Sequence, residues 1–169
     1  MEITRPDLRK IPARIHTLAG RISGNLHVLV AHSIVDHLDY AGNFLTLTDV
    51  LLPGHTQPMP FFALQRSAAL AVIPDAPEDA LALAGAPADS RPHAVACLLE
   101  QGVLNGTLDL PRGIRVSDHL VASAGFLVVR NCTLGTSGGA SEAFSVEMTP
   151  IVLVNAARVI GVAEMSPVD

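Results

Sequence analysis

The sequence has few aromatic residues, few basic residues and few cysteines. Among 169 residues there are five Phe, one Tyr and no Trp, so the core must be built mainly from aliphatic side chains. The 11 basic residues include a single lysine, Lys10, and are outnumbered by 16 acidic residues, which gives a net charge of −5. Nucleic-acid binding depends on a basic surface that releases counterions from phosphates. The charge balance therefore disfavours nucleic acid as a partner.

The cysteines and the apolar runs exclude further classes. Cys97 and Cys132 lie far apart and form no C-x-x-C motif, so we predict neither a zinc site nor a disulfide framework, and we expect both thiols to be buried. All apolar runs are much shorter than the roughly 18 residues that a membrane-spanning helix needs. Residues 1–6 lack the apolar segment of a signal peptide. We expect a cytoplasmic protein that makes no contact with membranes.

What the chain does contain is an internal similarity. Apolar residues make up 49 % of it, and 13 Gly and 12 Pro divide them into short segments. A shift of 82 residues places 20–52 on 102–134 without a gap, and nine of these 33 positions are identical. Beyond them, a shift of 90 aligns 62–72 with 152–162. We interpret the chain as a duplicated domain.

The two predicted copies have the same elements. The first spans 13–74, the second 94–166, and a Pro-rich and Ala-rich linker, 75–93, joins them. Period-two apolar residues predict a strand in each copy, and Gly24 or Gly106 lies inside it, where glycine marks a bend or bulge. A second strand and a final hairpin follow. Each copy thus has four or five short strands, the size of a small closed β-barrel.

Two further pairs of equivalent residues receive structural roles. Phe44 and Phe126 begin the second strand of each copy, and we expect each ring to anchor its aliphatic core. Asp36 and Asp118 precede short apolar segments and are predicted to be helix N-caps. The prediction is therefore a mainly β protein of two tandem small β-barrels, each with one short helical turn.

This layout resembles the Sm-like and SH3-like small barrels. More narrowly, it is similar to uncharacterised bacterial proteins with the pattern G-x-L, S-D-x-L and F-L-x-L. The residues that carry the pattern are Gly106, Leu108, Ser117, Asp118, Leu120, Phe126, Leu127 and Val129. The resemblance implies the barrel fold. RNA binding does not transfer, because the last hairpin lacks the basic and glycine-rich signature of RNA-binding Sm proteins.

The Asp-His pairs are the candidate binding residues. Asp36-His37 and Asp118-His119 recur at equivalent positions. They are open to three interpretations: capping with a surface histidine, a metal or catalytic role, and a pair of histidines at one interface that titrates near neutral pH. His27 and His32 precede His37 at intervals of five, but the second copy has no equivalents. We favour capping and predict no metal site and no cofactor.

One hydrolase-like motif is present. Residues 135–139 match G-x-S-x-G around Ser137, but the nucleophile elbow needs a later histidine, and the last histidine is His119. We interpret the segment as a flexible insertion and predict no catalytic residue.

The favoured function is a non-enzymatic assembly or protein-binding module that forms a homo-oligomer. High apolar content in two small cores indicates that a partner covers part of the surface. The alternative is a small-molecule binding protein or enzyme that uses Asp and His residues in a groove between barrels. Nucleic-acid binding by Sm-like analogy is a third reading, disfavoured by charge.

Overall fold

A computed structural model describes residues 6–76, 88–136 and 146–165. These parts of the chain contain ten strands, two short α-helices and two 3₁₀ turns. The strands are β1 Leu8–Thr17, β2 Gly20–Leu29, β3 Phe44–Leu51, β4 Phe62–Gln65, β5 Ala71–Pro74, β6 Ser90–Leu99, β7 Gly102–Pro111, β8 Phe126–Thr136, β9 Val146–Asn155 and β10 Gly161–Glu164. The helices are α1 Ile34–Tyr40 and α2 Val116–Ala122, and the 3₁₀ turns are Arg66–Ala68 and Ala156–Arg158.

All ten strands form one open antiparallel sheet. Its order is β10-β6-β7-β8-β9-β5-β1-β2-β3-β4. We call β1–β5 with α1 the first half and β6–β10 with α2 the second half. Each half contributes five adjacent strands, and the halves meet where β9 pairs with β5, with Ala71 opposite Val154 and Val72 opposite Leu153. The mainly β class is thereby confirmed.

The two halves have the same internal strand order. The first runs β5-β1-β2-β3-β4 and the second runs β10-β6-β7-β8-β9. Strands β1–β3 and helix α1 recur 82 residues later, and the segment from β4 through the 3₁₀ turn to β5 recurs 90 residues later. Both shifts are those read from the sequence.

Two details of the predicted layout are wrong. The final hairpin does not form, because β4 pairs with β3 while β5 crosses to β1, and the 3₁₀ turn between them redirects the chain. The strand that precedes the Gly24-containing or Gly106-containing strand in each half was not predicted. Strand β1 starts at Leu8, before the predicted boundary of 13, and β6 starts at Ser90, inside the predicted linker 75–93. Between these strands only Arg9 and Arg91 are identical, so the similarity did not reveal them.

Glycines at two equivalent positions produce bulges, as predicted. The β2–β3 register shifts between Ser23 and Asn25, and the β7–β8 register shifts between Asn105 and Thr107. A Cβ on Gly24 would lie 2.8 Å from Val50 Cγ2, and one on Gly106 would lie 2.6 Å from Val129 Cγ1. Both distances are shorter than a tolerable contact, so the close approach of the next strand requires glycine.

The opposing strands carry unusual backbone at the same bulges. Asp49 and Asn131 have positive φ, 53° and 49°, and they are equivalent under the shift of 82. Asp and Asn adopt this conformation more readily than other non-glycine residues. The Asn25 side-chain amide donates to Asp49 Oδ2 at 3.2 Å, which fixes the first bulge further.

The helix caps correct a prediction. Ser33 is the N-cap of α1, and its hydroxyl accepts from the Asp36 N–H at 3.0 Å. Asp36 lies three residues further on and accepts from the Ser33 N–H at 3.3 Å, which completes a capping box. In α2 the N-cap is Arg115, whose side chain makes no capping bond, and Asp118 lies in the first turn. Each aspartate is therefore in the first turn and not at the N-cap.

The core consists of two clusters of aliphatic side chains that cross the halves. The first cluster contains most buried residues of the first half together with Phe126, Ile151 and Leu153 of the second half. The second cluster contains the second half with Ala71 and Ile73 of β5. Each half therefore completes the core of the other along the β9–β5 junction.

The two phenylalanines predicted to anchor the cores behave differently. Phe126 is 8 % exposed and packs in the first cluster, on the far side of the junction. Phe44 is 59 % exposed, so the expectation that it anchors its own core is wrong. The physical reason is that Phe126 has a neighbouring half to pack against, whereas the described residues supply none for Phe44.

Candidate functional site

The predicted Asp-His residues lie on the two helices. On α1, Asp36 and His37 are half-buried, and the Asp36 carboxylate is engaged with Ser33, whose hydroxyl donates to it at 2.7 Å. On α2, Asp118 is exposed and His119 is half-buried, and the His119 carbonyl accepts from the Ser123 hydroxyl at 2.7 Å. Helix α1 packs on β2 and β8, whereas α2 packs on β7.

The structure places these two pairs on different helices that pack on different strands. Within the described residues, no hydrogen bond or ion pair joins the Asp-His pair of α1 to that of α2, and no group of three His, Cys, Asp or Glu side chains has the spacing of a metal site. Burial, and then the charge of His32, lowers the pKa of His37. His27 makes a separate contact, with Thr48 Oγ1 at 2.9 Å.

The two cysteines and Ser137 are the remaining candidates from the sequence. Cys97 and Cys132 are free and buried, as predicted. Burial raises the pKa of Cys97 to about 11 and that of Cys132 to about 12, so both remain protonated and poorly nucleophilic near neutral pH. Ser137 lies outside the described residues.

The sequence did not predict the β9–β5 junction, at which the two halves of the sheet meet. Across it, Asn155 donates twice, from its backbone N–H to Leu70 O and from its side-chain amide to Ala69 O, both at 2.9 Å. The Asp39 carboxylate of α1 accepts from the Phe126 N–H at 2.8 Å. The junction thus combines strand pairing, side-chain hydrogen bonds and shared apolar core.

Asp39 and His16 are the titratable groups that the junction perturbs. Burial raises the pKa of Asp39, while the Phe126 N–H opposes that shift. His16 of β1 lies beside Leu70, Leu99 and Leu134, and among residues 6–76, 88–136 and 146–165 its buried Nε2 finds no hydrogen-bond partner. Burial, reinforced by Arg21 and Arg14, lowers the pKa of His16, which keeps the ring neutral in this apolar setting.

The two outer strands of the sheet are unpaired on one side. Within the described chain, no strand pairs with the outer edge of β4 or of β10. Phe61, immediately before β4, is 61 % exposed, and Ile160, immediately before β10, is also 61 % exposed. Both edges therefore combine free backbone hydrogen-bonding groups with exposed apolar side chains.

Open cavities lie beside both edges. One of about 490 Å³ lies near β4 and includes Leu52, Phe62 and Leu64. Another of about 300 Å³ lies between α2 and β10 and includes Leu120, Val159 and Val162. Neither cavity is lined by the four predicted Asp and His residues. At the internal junction the space between Leu70 and Leu134 is only about 10 Å³, so there the apolar surfaces are closely packed.

Comparisons with protein-family models, with curated proteins and with solved structures gave no match. In the described residues, neither helix is long and apolar enough to cross a membrane.

Proposed function

We propose that the protein is an assembly module that self-associates through the free edges of its sheet. The observation that carries this proposal is the combination, on both outer strands, of unpaired backbone groups and exposed large hydrophobic side chains. Soluble proteins protect edge strands with charged residues, proline, bulges or very short strands, and here the protection is mainly the length of four residues. Strand β4 contains no charged residue, and β10 contains only Glu164 at its end.

The repeated strand order, rather than the free edges, supports the interpretation as tandem barrel-like units. Five strands in one order, with a helix after the second and a 3₁₀ turn before the last, occur in each half. We propose that the halves are tandem copies of one small β-barrel-like unit. Each half contributes side chains to the core of the other. This arrangement favours an assembly function over a catalytic one.

Light scattering of the full chain at micromolar concentration tests the assembly proposal. We expect a mass that is a multiple of the chain mass, and we expect Phe61→Lys to reduce it, since a charge at this edge opposes burial. The control is Met148→Lys, which makes the same kind of change at an exposed position of an internal strand. A monomeric wild-type chain would contradict the proposal.

A further inference from the structure

The internal junction shows how an edge strand of one half is covered. Strand β9, with neighbouring β8, presents one row of side chains to the first half. Three of them, Phe126, Ile151 and Leu153, are buried in the first-half core cluster, and Val128 packs against it. We call these four positions the plug of the second half.

The first half carries an equivalent plug that the described residues leave uncovered. The shifts of 82 and 90 make its members Phe44, Thr46, Phe61 and Ala63. All four are exposed. Phe44 and Phe61 are large apolar side chains, and their equivalents Phe126 and Ile151 are almost completely buried.

The second half likewise carries an unfilled counterpart of the surface that receives the plug. In the first half, Leu38 of α1 and Val72 of β5 are buried in the same core cluster as the plug, and Leu70, just before β5, is buried beside Leu134. Their equivalents, Leu120, Ile160 and Val162, are all partly or largely exposed. We call these three residues the socket, and two of them line the 300 Å³ cavity between α2 and β10.

We propose that the first-half plug of one molecule binds the second-half socket of another, so that β4 of one chain pairs with β10 of the next. This inference rests on the proposed function and adds which edge of one copy meets which edge of the next, and the register of the pairing. The internal pairs are Ala71 with Val154 and Val72 with Leu153. Shifted by 90 residues, they become Gly161 with Leu64 and Val162 with Ala63.

Secondary contacts of the junction have equivalents at the new interface. Leu70 and His16 pack against Leu134 inside the molecule, and their equivalents Ile160 and Leu98 are exposed. The counterpart of Leu134 is Leu52, which lines the open 490 Å³ cavity. Ile160 and Leu98 of one chain therefore close the cavity beside β4 of the next.

Hydrogen bonding is reproduced only in part. Gln65 stands where Asn155 does and also carries an amide, so it donates to the next chain as Asn155 donates to Ala69 O. Val121 stands where Asp39 does, so the Phe44 N–H finds no carboxylate. Ala156 replaces Arg66, whose guanidinium binds the Leu38 and Asp39 carbonyls. Apolar burial and strand pairing therefore carry the contact between molecules.

The contact joins two different surfaces and is therefore heterologous. Such a contact closes into a ring if the rotation between neighbours divides a full turn, and it forms a filament if it does not. Because every junction repeats the internal one, the assembly contains no interface of a symmetric two-fold dimer.

Site-specific disulfide formation tests the register. Directly opposed residues of an antiparallel pair have the Cα separation that a disulfide needs. Ala63→Cys and Val162→Cys chains are purified separately, mixed and treated with a mild oxidant. We expect covalent dimers in the mixture and little in either variant alone, because each variant by itself lacks the opposing thiol. The native cysteines are buried and react slowly.

A matched pair and the mass measurement separate the possible failures. Ala63→Cys mixed with Met148→Cys, an exposed position on an internal strand, should give several-fold less dimer. Oligomers without the mixed disulfide, or efficient dimerisation of either variant alone, would overturn the proposed register and leave assembly standing. A wild-type chain that stays monomeric would overturn both proposals.

Discussion

At the scale of single residues, Asp39 contributes a half-buried hydrogen-bond acceptor to the junction. Its carboxylate accepts from the Phe126 N–H at 2.8 Å, and a Cβ on the neighbouring Gly125 would collide with it. Phe126 is thereby held where its ring enters the core of the other half. The sequence offered no sign of this role, because the equivalent residue in the second half is Val121.

Two substitutions of Asp39 should have different consequences for stability. Asp39→Ala leaves the Phe126 N–H without an acceptor, and we expect a loss of about 1–3 kcal/mol in the free energy of unfolding. Asp39→Asn keeps an oxygen acceptor and removes a charge that burial disfavours, so stability at pH 7 should be equal or higher. Urea unfolding of both variants beside the wild type measures the difference.

The raised pKa of Asp39 predicts a pH-dependent difference in stability between the wild type and Asp39→Asn. Burial raises the pKa of Asp39 above 3.8, so the folded state retains the proton longer than the unfolded state. The wild type should therefore lose stability relative to Asp39→Asn as pH rises from 3.8 through the folded pKa. Equal unfolding curves for the two proteins across this range would contradict the assignment.

At the scale of elements, the sequence predicted most where both halves preserve a structural constraint. Strand β3 occupies the predicted range, and both glycine bulges were expected from Gly24 and Gly106. Strands β1 and β6 were missed because β1 mixes Arg9, Lys10 and Pro12 with its apolar residues. The pairing of β5 could not be predicted either, because its partners β1 and β9 are distant in sequence and no local pattern indicates them.

The two helices provide a test of capping within one molecule. Ser33 and Asp36 form a complete capping box on α1, whereas the N-cap of α2 is Arg115, without a side-chain bond. Ser33→Ala should cost about 0.5–2 kcal/mol, and Arg115→Ser should stabilise by up to about 1 kcal/mol. Thermal unfolding of each variant measures both effects. The claim fails if Ser33→Ala unfolds like the wild type.

At the scale of the whole molecule, the sheet consists of two equivalent halves, and in the described residues its two outer strands are unpaired on one side. The junction that closes the middle of the sheet buries an aromatic ring, aliphatic side chains and strand edges, and the same surfaces are left open at both ends. The sequence predicted an apolar protein that needs a partner, but it could not reveal the β9–β5 junction on which the proposed contact between molecules is based. The junction is defined by strand order, which hydrophobic patterns do not provide.

Equivalent substitutions at Phe126 and Phe44 should therefore affect different levels of structure. Phe126→Ala removes a buried ring, and we expect the Tm to fall by on the order of 10 °C at every protein concentration. Phe44→Ala removes an exposed ring and should leave the Tm of the dilute protein unchanged. Because association stabilises the folded state by mass action, the wild-type Tm should rise with concentration, and in Phe44→Ala that rise should be weakened or absent. Scanning calorimetry over a dilution series measures both the Tm and its dependence on protein concentration. If the Tm of Phe44→Ala rose with concentration as steeply as that of the wild type, the first-half plug would not take part in the association.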